Sequence, residues 1–301
     1  GVASCDVHIN KPDPRIYQNR LNLKGTKMEH KLIDIGVNLM HRSYSGDREA
    51  VLSAAQAGGV SPLIITGTDL RSSEAAARYA ARFPGQLYST AGVHPHDAKG
   101  CDERTIPGLR RLLQQPQVVA VGECGLDYDR NFSPPDVQRK WFEEQILLAE
   151  EAGLPLFLHE RSAHRDFLAI LSRHGGAAKR SVVHCFTGTA YEAMRYLDIG
   201  CMIGVTGWIC DERRSQSLRD AVRVIPPERL MVETDAPFLT PRDLAEKPRG
   251  GRNEPKYLPH ILRRIAALMG QDPAELAAVT LENTVRFFGL DADAGKDRID
   301  G

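Results

Sequence analysis

The sequence predicts an α/β fold, a (β/α)₈ TIM barrel, and three observations carry that prediction. Eight short runs rich in Val, Ile and Leu alternate with helix-like segments, the pattern of βαβ units and a parallel sheet. They occupy roughly 260 residues without a composition shift, a length that one barrel fills. Polar or titratable residues stand where several of the runs stop, as they do at the mouth of a barrel. An open doubly wound sheet would gather its ligands at one crevice instead.

The first run is Leu32–Val37, followed by a helix-like stretch from Asp47 to the Gly58-Gly59 stop. Pro62–Thr66 reads as the second strand and Arg71–Arg82 as an Ala-rich helix. Leu87–Val93 is the third strand and ends at His94-Pro95-His96, with a helix over Ile106–Gln114 after it. Val118–Tyr128 is the fourth, an apolar run broken by Gly122 with Glu123 at its tip. Pro135–Ala152 is an amphipathic helix that counts Trp141, Ile146, Leu147 and Leu148 among its apolar positions. Leu154–Leu158 ends at His159 and precedes a helix over Asp166–His174. Ser181–Val183 ends at His184 and leads to a helix over Tyr191–Asp198. Gly200–Val205 ends at Thr206-Gly207-Trp208, with a short helix at Leu218–Val224. Arg229–Thr234 ends at Asp235, and helices at Leu258–Met269 and Ala274–Phe288 close the pattern.

Lys plus Arg equal Asp plus Glu at 39 each, so no overall positive field favours coating of duplex nucleic acid. The six cysteines form no CxxC pair, and three follow strand-like runs, which favours buried thiols in a reducing, cytoplasmic setting over disulfides. No stretch approaches the ~18 apolar residues of a membrane span. Residues 1–27 show no signal-peptide core and no clear period, and read as an extension ahead of one hydrolase domain over 28–301. A monomer that needs no protein partner is expected.

In a barrel, Glu123, His159, His184 and Asp235 converge on one mouth although they are far apart in the chain. Two imidazoles with carboxylates form a common ligand set for a hydrolytic divalent cation. Such a cation acidifies bound water and neutralises charge on a phosphoryl or carbonyl oxygen. Asp235 is a candidate ligand or the base that accepts the water proton. Glu233, two residues earlier, shares its strand face and is read equally as a paired carboxylate of the barrel lining or a partner of Asp235. His94, its backbone restrained by Pro95, is a candidate phosphate donor, and His96 a loop residue. Gly67 and Gly207 leave room for backbone to approach a ligand. Arg213, Arg214, Arg249 and Arg252 form an anion-binding rim after strands seven and eight, with Arg252 the favoured substrate contact.

The stretches Gly122–Asp127, Leu154–His159, Val183–Gly188, Glu233–Pro237 and Arg252–Pro255 resemble the TatD family of metal-dependent deoxyribonucleases, in order and at suitable spacing over about Leu32 to Leu290. The resemblance implies a TIM barrel of the metal-dependent hydrolase type. It implies hydrolysis of phosphodiester bonds with a divalent cation, Mg²⁺ first and Mn²⁺ or Zn²⁺ as alternatives. Glu123, His159 and His184 match the family's metal ligands, and Asp235 its catalytic or ligating aspartate; Glu123 and Asp235 are therefore the expected catalytic pair. For bacterial members it implies 3′–5′ exonuclease activity on single-stranded DNA, with RNA as a second candidate substrate, and a role in repair of oxidative damage. The alternative is an ester or amide hydrolase, such as a deacylase of mischarged aminoacyl-tRNA. One departure stands out. The family's His-x-His after the first strand is replaced here by Gly36 and Asn38, which predicts loss of the second metal position.

Overall fold

Strand β1 (Leu32–Val37) pairs in parallel with β2 (Val60–Ile65). The ladder continues in chain order through β3 (Leu87–Ala91), β4 (Val118–Asp127), β5 (Leu156–Arg161), β6 (Ser181–Val183), β7 (Met202–Val205) and β8 (Leu230–Val232). The structure is a computed structural model and describes residues 31–290. The extension expected at 1–27 lies outside them. The barrel closes beyond β8, where Asp235 N donates to Gly36 O at 2.9 Å and Asn38 N to Ala236 O at 2.8 Å. Among the described residues no helix is long and apolar enough to cross a membrane.

Helices return the chain between strands: α1 (Arg48–Ala57), α2 (Leu70–Ala80), α3 (Thr105–Leu112), α4 (Pro135–Ala152), α5 (His164–Arg173) with the short α6 (Gly175–Ala178), α7 (Ala190–Asp198) and α8 (Gln216–Val222). The last two, α9 (Leu258–Met269) and α10 (Pro273–Phe288), follow β8. Their ends obey local chemistry. Asp69 and Ser72 form a capping box at α2, as Thr189 and Glu192 do at α7, satisfying amides that lack helical acceptors. Pro135 opens α4 and Gly153 closes it in a left-handed conformation.

Side-chain alternation divides each strand between two cores. Leu156 and Leu158, Val183, Ile203 and Val205, and Leu230 and Val232 pack outward against the helices. Ile33, Ile35, Ile64, Phe157, Val182 and Met231 fill the barrel interior, with Phe288 of α10 in the same cluster. The period of two then dictates what comes next. His159 follows Phe157, His184 follows Val182, and Glu233 follows Met231, so the inward positions turn polar toward the C-terminal ends.

Two expectations shift. Strand β5 runs on to Arg161, so His159 lies within the strand. In α4, Leu147 is exposed and Trp141 half-buried; the inward face is Phe142, Ile146, Leu148 and Ala149 with Gln138 and Gln145. Both glutamines hold backbone at strand ends, Gln145 at Val93 beyond β3 and Gln138 at Asp127 of β4, which is why polar residues sit on the buried face.

Candidate metal centre

Strand β4 is buried along its whole length, and its glycines let it lie unusually close to β5. Gly122 and Gly125 adopt φ of +140° and +143°, and a Cβ on either would strike the carbonyl oxygen of Phe157 or of His159. Glu123, between them, therefore stands on the inner wall beside β5. Its amide donates to Gly67 O at 2.7 Å.

One oxygen of Glu123, Oε1, gathers three imidazoles. His184 Nε2 lies at 2.7 Å, His159 Nδ1 at 3.0 Å and His94 Nε2 at 3.4 Å. All four side chains are buried or nearly so. Burial favours the neutral carboxyl, but the charge of His184 and the hydrogen bonds from His159 and His184 outweigh it and hold Glu123 well below the usual carboxylate range. Burial likewise opposes charge on His184, yet Glu123 and Glu233 push its pKa well above the ordinary value. His159 is shifted the same way, where Asp127 and Glu123 overcome burial. At His94 burial prevails and lowers the pKa to about 4, so this ring stays neutral.

Each of the two raised histidines has a second carboxylate behind it. His184 Nδ1 lies 3.3 Å from Glu233 Oε2, and the other oxygen of Glu233 accepts from the Cys185 amide. His159 Nε2 is buried without a well-aligned hydrogen bond, 3.4 Å from Asp127 Oδ2. Asp127 is itself fixed by the Asp129 and Arg130 amides and by His96 Nε2 at 2.7 Å. This leaves His159 Nδ1 and His184 Nε2 turned toward Glu123, each with a carboxylate at its far nitrogen, as in carboxylate–histidine–metal relays.

Asp235 completes the set from the end of β8. It and Cys185 take φ of +52° and +46°, which few residues other than glycine adopt. Asn38 Nδ2 donates to Asp235 Oδ1 at 2.8 Å. Burial raises the Asp235 carboxyl to about 7, helped by Glu123 and Glu233 and opposed by His184 and the Asn38 bond. Glu123, His159, His184, His94 and Asp235 line one cavity of about 450 Å³ at the barrel mouth.

The donor set, two imidazole nitrogens with two carboxylates, fits a divalent cation. The raised pKa values of His159 and His184 around Glu123 mark where a cation would displace protons. At the first strand the packing is different. A Cβ on Gly36 would meet Glu233 Oε2 at 2.5 Å and the Phe157 ring at 2.9 Å, so the backbone there touches side chains from just beyond β8 and from β5. Asn38 reaches the cavity with its amide nitrogen bonded to Asp235.

Several sequence readings find other places. His96 is no bystander, since it lines the cavity and contacts Asp127. Gly67 and Gly207 face protein, Gly67 against Ser73 and Thr90 and Gly207 against Leu239, so their lack of a side chain serves chain packing. Arg252 stands outside the cavity lining, with its guanidinium on Asp47 at 2.7 Å and Glu254 at 2.9 Å and over the Tyr44 ring at 4.8 Å. Asp127 and Phe238 also belong to the site and are not among the sequence candidates. The first belongs to the quoted Gly122–Asp127 stretch at inward parity with Glu123, a signal that was available. Phe238 has no periodic signal, because it lies in a loop.

A family model described as TatD related DNase matches residues 33–289. The chain is 49% identical over 257 residues to the 3′–5′ ssDNA/RNA exonuclease TatD of Cronobacter sakazakii, covering 85% of this chain and 97% of that one. It is equally 49% identical over 259 residues to the protein of the same name in Erwinia tasmaniensis, covering 86% and 100%. Among solved structures, YJJV, a TatD homolog from Escherichia coli K12, superposes with a TM-score of 0.80 at 30% identity, covering 88% of this chain and all of that one. A TatD family hydrolase from Entamoeba histolytica gives 0.80 at 29% identity with the same coverage. A family match over residues 33–289, with relatives at 49% identity over most of their length, makes this chain a member of the TatD related DNase family.

Proposed function

We propose that this protein is a metal-dependent 3′–5′ exonuclease that hydrolyses phosphodiester bonds of single-stranded DNA and RNA. The observation that carries the reading is the convergence of Glu123, His159, His184 and Asp235, from four strands, on one cavity of a chain about half identical to named exonucleases. Of these, Glu123, His159 and His184 would hold one divalent cation, with Mg²⁺ the first candidate. Bound there, it supplies Lewis-acid charge to a phosphoryl oxygen and lowers the pKa of water.

The chain's own groups do the rest. Glu233 and Asp127 orient His184 and His159 from behind. Asp235 has one oxygen held by Asn38, and the other is available to take a proton from the attacking water. His94 is neutral and its Nδ1 accepts the His96 amide at 3.1 Å, which leaves Nε2–H to donate to a phosphate oxygen or to Glu123. No observation favours the aminoacyl-ester alternative.

The test follows a 5′-labelled single strand. With Mg²⁺ the protein should release nucleotides stepwise from the 3′ end, and Asp235→Asn should lower kcat by about 10²-fold or more. Endonucleolytic products, or deacylation of aminoacyl-tRNA faster than nucleotide release, would overturn the assignment.

A further inference from the structure

The loops after β7 and β8 enclose a second, larger groove of about 640 Å³ that takes no part in the site above. Adjacent residues of the loop after β8 line the groove and the catalytic cavity. Phe238, 49% exposed, faces the cavity, and its neighbour Leu239 faces the groove, where Gly207 packs against the Leu239 carbonyl.

The groove wall is a planar platform. Trp208 is half-buried, and the Arg214 guanidinium stacks on it with Cζ 4.7 Å from the ring centroid. Arg214 is pinned by the buried Asp211, which also holds Arg242 at 2.9 Å. The remaining acids of the wall are paired too, Glu212 with Arg264 and Asp243 with Arg264 and His260, each within 2.8 Å. Arg213 and Lys247 differ. Both are exposed, and among the described residues neither side chain has a carboxylate partner. A fixed aromatic–guanidinium plane beside uncompensated cations is the chemistry that binds single-stranded nucleic acid, base on plane and phosphate on cation.

We propose that this groove is a binding subsite for the single strand upstream of the nucleotide being cleaved, with a base on the Trp208–Arg214 platform and phosphates on Arg213 and Lys247. The proposal rests on the nuclease reading for its choice of ligand. It assigns the anion-binding role of this rim to Arg213 rather than to Arg252, whose guanidinium is already engaged.

The test uses the Mg²⁺-loaded full chain and oligothymidylates whose 3′-terminal linkage is a methylphosphonate, so that they bind uncut. Affinity for a 12-mer and for a dinucleotide is measured against salt. The 12-mer should bind more tightly, and Arg213→Glu with Lys247→Glu should cut that length advantage at least ~10-fold and reduce the salt slope by about 1.4. Trp208→Ala should cut it ~10-fold, whereas Trp208→Phe restores most of it, which separates stacking from a folding defect. Equal affinity for both lengths, or an unaltered length advantage and slope in the charge-reversed protein, would overturn the subsite. A protein that shows the length advantage but cleaves no unmodified strand would refute the nuclease reading and leave the subsite standing.

Discussion

Glu123 Oε1 accepts the approach of three ring nitrogens while the far nitrogens of two of those rings face carboxylates. At this scale the candidate ligands were legible because parity along a strand and position at its end are one-dimensional properties. Their pairings were not. Asp127, Glu233 and His96 reach the histidines across strands, and only the closed barrel brings them together. We expect Asp127→Asn to free the His159 ring and weaken Mn²⁺ affinity by roughly 10–100-fold in a calorimetric titration. Unchanged affinity would mean that Asp127 serves the β4 turn alone, through the Asp129 and Arg130 amides.

Strand β4 is the element on which the site depends. Its run of apolar residues was readable as a buried strand, but the close passage against β5 was not, since glycine in a strand has several meanings. Gly125→Ala would combine a disfavoured φ with a clash against the His159 carbonyl, and should lower stability by roughly 2–4 kcal/mol in urea. Gly153→Ala, also left-handed but in open space at the end of α4, should cost only about 1 kcal/mol. Equal losses would deny the β4–β5 approach its steric role. The arginine rim shows the reverse limit. Basic residues in loops were visible, yet which guanidinium is engaged by its own protein depends on loop conformation, and Arg252 proved to be held by Asp47 and Glu254.

For the molecule as a whole, eight strands in chain order followed from the alternation of runs, and most boundaries fall within two or three residues of the sequence reading. Closure into a barrel was expected too, but the contacts that seal it were not legible, and here a buried acid is built into the seam. Asp34 accepts the Thr234 amide and hydroxyl across the β1–β8 join. Burial, opposed by those bonds, raises its pKa from 3.8 to about 8. The folded state then binds one proton more than the unfolded chain between those values, so this group makes stability fall as pH rises from about 4 to about 8, by up to ~1.4 kcal/mol per pH unit. Asp34→Asn should flatten that part of the profile of urea midpoints between pH 5 and 8. An unchanged slope would show that Asp34 is ionised at neutral pH.

We propose that Glu123, with His159 and His184, holds a single catalytic cation, while Gly36, backed against Glu233 and Phe157, contributes no second position. Titration of the metal-free protein with Mn²⁺, followed by calorimetry, addresses it most directly. One equivalent should bind to the native chain, and Glu123→Ala should weaken that binding at least ~100-fold, beyond the loss from removing a single orienting partner. Two equivalents of comparable affinity, or native affinity in the Glu123→Ala protein, would contradict the account.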